Sequence, residues 1–323
     1  MRDSYVGDIG DFAKYGLLRT LARGRRLGVA WYMPTDSEPA RSNDGRHTDY
    51  LDRPAEWRRL DPELFDGLGK LVRDGRRTVA AVQRSGLLGN AAFADEPLDV
   101  SRVPSSDRGR WRREWFERIR ARLADCDLVF ADPDNGLYPD DGFRYGRKES
   151  SKRIPPSEAL ALADGRPAVI YHHNTRAKGG HFREIEAWMD RLPAGTLAYY
   201  WRRWSPRTFF VVNPDAITER RLGTFAALWG RNGKTVPAAP GDGQRGRSDG
   251  EIRGRPAMNG RKEDRQSMKP QGAASVRASI SFPPDIYEVL EQFAREKKVS
   301  LAWVVRNAVE RYITEQGSQS ERE

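Results

Sequence analysis

Between Val276 and Ile313 the chain carries more apolar pattern than such a short segment can bury alone, and nothing else in it constrains folding as tightly. From Val276 the order is Val-Arg-Ala-Ser-Ile-Ser-Phe. Side chains alternate along a strand, so Ala278, Ile280 and Phe282 share one face and Arg277, Ser279 and Ser281 the other. Pro283 and Pro284 stop the strand, and Pro284 suits the first turn of a helix. Ile286, Val289, Leu290 and Phe293 then share one helical face. Ser300 is a good N-cap, and Leu301, Val304, Val305, Ala308, Val309, Tyr312 and Ile313 form a second stripe. A unit of about forty residues cannot cover two such stripes, and one strand is not a sheet. The pattern calls for a second copy, with two strands paired antiparallel over four helices.

This arrangement resembles the ribbon-helix-helix repressors of the CopG, Arc and MetJ type, over residues 275–316. The resemblance implies a homodimer, double-stranded DNA as partner and a role in regulating transcription. The two-stranded ribbon would enter the major groove, with Arg277, Ser279 and Ser281 reading base edges. The family clamps a phosphate at the N-terminus of its second helix, here the backbone N–H groups around Ser300, Leu301 and Ala302. Leu-Ala after Ser300 is a departure, because it brings few side-chain donors to that clamp. The plainer alternative is a helical hairpin that only dimerises.

Charge agrees with a nucleic-acid partner without specifying one. Lys and Arg number 56 against 46 Asp and Glu, a net charge of +10. The single cysteine, Cys126, excludes an internal disulfide and lies in an apolar strand pattern, as buried filler would. No apolar run reaches membrane length and the N-terminus lacks a signal-peptide core, so we expect a cytoplasmic protein with no membrane partner. Residues 233–274 contain no aromatic side chain and are rich in Gly, Pro and charge, the composition of a flexible basic linker. The expected division is a domain over 1–232, that linker, the ribbon-helix-helix over 275–316 and a disordered tail over 317–323.

The N-terminal domain reads as α/β. Strands are predicted over 27–33, 128–131 and 168–171, with a closing pair over 197–201 and 208–212 whose turn spans Arg202 to Arg207. Helices are predicted over 12–23, 110–124, 156–163, 182–192 and 218–229. The stretch 77–96 holds one or two weaker strand patterns. The whole suggests a Rossmann-like, mostly parallel sheet with a C-terminal antiparallel hairpin, the architecture of methyltransferases.

Three motifs carry chemistry. In Tyr5-Val-Gly-Asp-Ile-Gly-Asp-Phe-Ala-Lys-Tyr-Gly-Leu-Leu-Arg19, two glycines precede a helix that Asp11 could cap. Gly7, Asp8, Gly10, Asp11 and Lys14 are the candidates there for holding an anion or a cofactor edge. The alternative is a glycine turn and a helix. This string resembles the start of an uncharacterised bacterial family that also carries the second motif.

The second motif is Leu128-Val-Phe-Ala-Asp-Pro-Asp-Asn-Gly136, where apolar residues run straight into polar ones at the carboxyl end of a buried strand. It resembles the Asp-Pro-Pro-Tyr box of adenine N6-methyltransferases, in which the acid and a proline carbonyl accept from the target amino group and an aromatic stacks on the flipped base. Asp132 and Pro133 match; Asp134 and Asn135 stand where proline and the aromatic would be, with Tyr138 nearby. The resemblance implies S-adenosylmethionine as cofactor. A clear Gly-x-Gly loop is missing after the first strand, where a polar loop with Asp36, Asp44, Gly45, Arg46 and His47 stands instead. The plain alternative is a tight acidic turn.

The third motif is Tyr171-His-His-Asn174. Adjacent strand residues face opposite ways, so at most one of His172 and His173 lines a given site. A histidine near Asp132 and Asp134 is a candidate site residue or, less directly, a metal ligand, which opens a rival class of metal-dependent nuclease. The basic segment Arg108–Arg122 carries Trp111, Trp115 and Ile119 down one side, with Leu123 continuing the stripe. That regularity predicts a sheet-covering helix with its charges in water. Two functional classes remain: a DNA-binding regulator, and a nucleic-acid-modifying enzyme delivered to DNA by its tail.

Overall fold

In a computed structural model, the described residues are 2–33, 45–100, 103–230, 233–236, 284–296, 301, 303–305 and 307–308. They divide into two units, 1–248 and 249–323. In chain order the first unit contains α1 (Ile9–Leu21), β1 (Leu27–Trp31), α2 (Pro54–Trp57), α3 (Pro62–Arg73), α4 (Val79–Arg84), β2 (Ala92–Ala94), α5 (Arg108–Arg122), β3 (Leu128–Asp132), β4 (Gly136–Leu137), β5 (Arg153–Ile154), α6 (Pro156–Ala163), β6 (Ala168–His173), α7 (His181–Met189), β7 (Leu197–Arg203), β8 (Ser205–Val212), α8 (Ala216–Trp229) and β9 (Gly233–Val236).

The seven-stranded sheet has the order β2-β1-β3-β6-β8-β7-β9. β1, β2, β3 and β6 are parallel. β8 is antiparallel to both β6 and β7, so it lies reversed between two strands that run the same way. The arrangement is α/β and Rossmann-like. β1 and β3 are buried along their whole length because helices cover both faces. Alternate residues feed two cores. Val29, Trp31, Phe130, Val169, Tyr199, Trp201 and Phe209 face α1, α3 and α8. Ala30, Val129, Ala131, Ile170, Ala198 and Phe210 face α5, α6 and α7.

Several expectations shift. α1 begins at Ile9, not Phe12, because Asp8 is the cap: its Oδ1 accepts the Asp11 N–H at 2.9 Å. The stretch 77–96 supplies one helix and one short strand, since Thr78 Oγ1 accepts the Ala81 N–H and starts α4. The closing hairpin turns at Trp204 alone, so Arg202–Arg207 belongs largely to the strands. Gly233–Val236, which composition assigns to the linker, pairs with Ala198–Trp201 as an edge strand. α5 does cover the sheet through Trp115 and Ile119, but not all its charges are in water. Arg112 is buried and forms a two-pronged pair with Glu158 at 2.9 and 2.8 Å.

In the second unit α9 (Pro284–Glu296) occupies the span where the first stripe predicts a helix, and Leu301, Trp303–Val305, Asn307 and Ala308 are helical. Ile286, Val289 and Phe293 each remain nearly half exposed within the single chain. Arg277, Ser279, Ser281 and Ser300 lie outside the described residues. Among the described residues no helix is long and apolar enough to cross a membrane.

Candidate active site

The chain leaves β1 towards β2 on one side and later returns to β3 on the other, so strand order reverses between β1 and β3. In open α/β sheets, ligands bind outside the carboxyl ends of the strands at such a switch point. Asp132, the last residue of β3, is in register with Trp31, the last of β1. The second motif therefore lies at the place where topology alone puts a ligand.

The first motif meets it there. Lys14, in the second turn of α1, donates from Nζ to Asp132 Oδ2 at 2.9 Å and pairs with Asp11 Oδ1 at 2.8 Å. Tyr15 donates its hydroxyl to Asp11 Oδ2 at 3.2 Å. Asp11, Lys14 and Asp132 are all at most 4% exposed. Two carboxylates thus share one ammonium away from water. Burial raises the Asp11 carboxyl to about 6, with Lys14 pulling it down and Asp8 pushing it further up. Burial alone would lower the Lys14 ammonium, but the two acids outweigh it and hold the pKa above its ordinary value. Lys14 is a fixed cation, not a base.

No family model matches the chain, and no curated protein matches it.

The other expected residues divide. Gly10 lies directly against the Arg207 guanidinium, where any side chain would collide. Asp8 is the helix cap, and Gly7 takes φ +79° just before it. Asp134 stays at the edge, paired with Arg2 at 3.3 Å. Asn135 is exposed and donates its backbone N–H to Lys152 O at 2.7 Å. Arg153 lies over the ring of Tyr138 at 4.7 Å.

The two histidines face opposite sides of the sheet. His172 lies on the α7 face and leaves the site. Its Nδ1 accepts the Leu137 N–H at 3.1 Å, so Nε2 carries the proton and donates to Glu184 Oε1 at 3.2 Å. Thr175 donates to the same carboxylate from its N–H and its hydroxyl. Burial opposes ionisation of Glu184, yet these donors bring its pKa down to about 2. Gly136 takes φ +87° hard against His172, a position only glycine fits. His173 lies on the α1 face, opposite Arg207 in the β6–β8 register. Burial, then Arg207 and His172, lower its pKa, so it is neutral at pH 7.

The sequence-based expectations give no role to Tyr171 or Arg207. Tyr171 lies between the charges of Asp132, Lys14 and Arg207, and burial pushes its hydroxyl up to about 12. The signal that could have marked Arg207 is the run Tyr199-Tyr-Trp-Arg-Arg-Trp-Ser-Pro-Arg207, whose density of aromatics and guanidinium groups exceeds what a plain hairpin needs.

The edge suits a bound cofactor in one observable respect. Trp31 Nε1, at the carboxyl end of β1, is buried and has no acceptor among the described residues. For a metal the match is poorer. The Lys14 ammonium already occupies the position from which an ion would bridge Asp11 and Asp132, and no group of three or more metal-ligating side chains forms among the described residues. A cleft of about 820 Å³ lies at the opposite edge, by Leu27. Its arginines include Arg19, bound to Asp61, and Arg25, bound to Asp215.

Proposed function

We propose that the protein binds double-stranded DNA as a dimer through a C-terminal ribbon-helix-helix, and that its N-terminal domain is a methyltransferase-like enzyme acting on nucleic acid. The observation that carries the enzymatic part is Asp132, bound by Lys14, at the β1–β3 switch point opposite Trp31. The reversed strand β8 between β6 and β7 supports it, as this is the closing hairpin of the methyltransferase architecture. The half-exposed stripe of α9 supports the dimer, because Ile286, Val289 and Phe293 need an apolar partner.

Trp31, whose buried Nε1 has no acceptor among the described residues, would help hold S-adenosylmethionine, which would supply an electrophilic methyl group. The chain's own contribution is electrostatic. Lys14 fixes Asp132 through Oδ2, with the carboxylate as the acceptor for a substrate N–H. Asp132 is only 3% exposed, and the Lys14 ammonium bound to it lies over the Tyr15 and Trp31 rings at 5.1 and 5.6 Å. His173, neutral and beside Arg207, can accept a proton released at the edge.

The test uses the full chain. Isothermal titration with S-adenosylmethionine should give binding, and duplexes selected from a random pool should bind a dimer. An absent heat of binding ends the methyl-transfer reading, and indifference to duplexes at low salt ends the DNA reading.

A further inference from the structure

The tip of the β7–β8 hairpin holds a cluster of buried donor atoms without an acceptor among the described residues. Cross-strand pairing sets Trp201 opposite Arg207 and Arg203 opposite Ser205, so these four side chains share one face. It is the face of α1, because Gly10 lies against the Arg207 guanidinium. Arg207 is only 8% exposed. Its guanidinium lies 5.4 Å from the centre of the Trp201 ring, and its Nη2 donates to Ser205 Oγ at 2.5 Å. The Arg203 guanidinium lies 5.7 Å from the centre of the Trp57 ring.

Among the described residues neither arginine has a carboxylate partner. The Nε atoms of Arg203 and Arg207 and the Nε1 atoms of Trp57 and Trp201 are all buried without an acceptor among those residues. Buried polar groups are nearly always paired, and a buried charge most of all. Four unmatched donors and two cations on one face lack a single kind of partner: an acceptor-rich anion. The N-terminus of the thirteen-residue α1 adds its positive dipole end at Gly10.

A flat, exposed aromatic stands beside this cluster. Trp204 is 60% exposed and takes φ +65°, a conformation costly for a bulky residue. Its indole stacks on His47 at 4.7 Å with 6° between the planes. The His47 carbonyl in turn accepts the Ile9 N–H of α1 at 2.9 Å. The turn thus spends strain on presenting an indole next to unneutralised arginines.

We propose that the hairpin tip is a nucleotide-recognition site, in which Arg207 and Arg203 hold a phosphate and Trp204 stacks the base. Guanidinium groups bind phosphate in a forked geometry, and every base can stack on an indole. The phosphate could come from a free nucleotide or from a single strand. The second source rests on the nucleic-acid reading above; the first does not.

The experiment titrates the full-length protein with inorganic phosphate, a 5′-mononucleotide and a ten-residue single-stranded deoxyoligonucleotide, following thermal stability and tryptophan fluorescence against chloride at matched ionic strength. Phosphate should stabilise the wild type, and Arg207→Met should weaken it at least tenfold. Trp204→Ala should leave phosphate binding intact and weaken the mononucleotide about tenfold. If Arg207→Met fails to fold, Arg203→Met gives the same readout from a less buried position. A wild type that responds to phosphate no more than to chloride overturns the site, as does an unchanged response in both arginine variants. Binding of phosphate and mononucleotide without the oligonucleotide upholds the site and removes the nucleic-acid reading of the domain.

Discussion

Lys14 Nζ and Asp132 Oδ2 lie 2.9 Å apart across 118 residues of sequence, both shielded from water. This contact joins the glycine-flanked helix start to the strand-end acid, and so makes one site out of two motifs.

Removing the cation should be costly. Lys14→Met leaves Asp11 and Asp132 buried beside each other, and we expect a loss of about 3–5 kcal/mol in urea unfolding. Adding Asp132→Asn should recover part of it, because the two substitutions share one interaction. Strictly additive losses would show that the pair is not coupled.

Asp11 gives the domain a pH dependence with a definite sign. Its folded pKa, about 6, lies above the ordinary value of 3.8. Its contribution is therefore fully present below pH 3.8 and is lost as pH rises through about 6. The gap of roughly two units corresponds to a change on the order of 3 kcal/mol. Chemical denaturation at steps between pH 4 and 7 should show this fall, and Asp11→Asn should flatten it. A wild-type profile without the fall would mean that Asp11 ionises freely.

The adjacent histidines should behave oppositely. His172→Phe strands the Leu137 N–H and removes one donor from the Glu184 carboxylate, at a cost of about 1–3 kcal/mol. His173→Gln should change stability by less than about 1 kcal/mol and instead lower any turnover. Thermal melts and activity assays on the two variants separate these roles; equal destabilisation would refute the division.

In the tail, Arg277→Ala should lower affinity for a selected duplex by about ten- to a hundredfold, the worth of one forked base contact. Light scattering should still report a dimer. Unchanged affinity would remove Arg277 from base reading.

Much of the scaffold was legible because its signals are local. Leu128–Ala131 is apolar on both faces, which only a covered parallel strand tolerates, and Asp132-Pro133 marks its end. The alternation in Tyr171-His-His-Asn174 correctly sends the two histidines to opposite faces, though it cannot say which one meets the acid. The helix cap expected at Asp11 is Asp8 instead, directly after the turn at Gly7. The Lys14–Asp132 pair was hidden for a different reason. It depends on how α1 is rotated against the sheet, and no local pattern encodes that angle. Arg112 looks like an ordinary surface arginine in sequence; burial alone distinguishes it.

The short strand β9 has a practical consequence. Gly233–Val236 hydrogen-bonds along the outer edge of β7, where Ala198–Trp201 would otherwise present bare backbone. A fragment cut at 232, the boundary that composition suggests, would expose that row of amides and carbonyls as a template for intermolecular pairing. Cut a few residues later, the same fragment would keep its selvedge and should remain monodisperse.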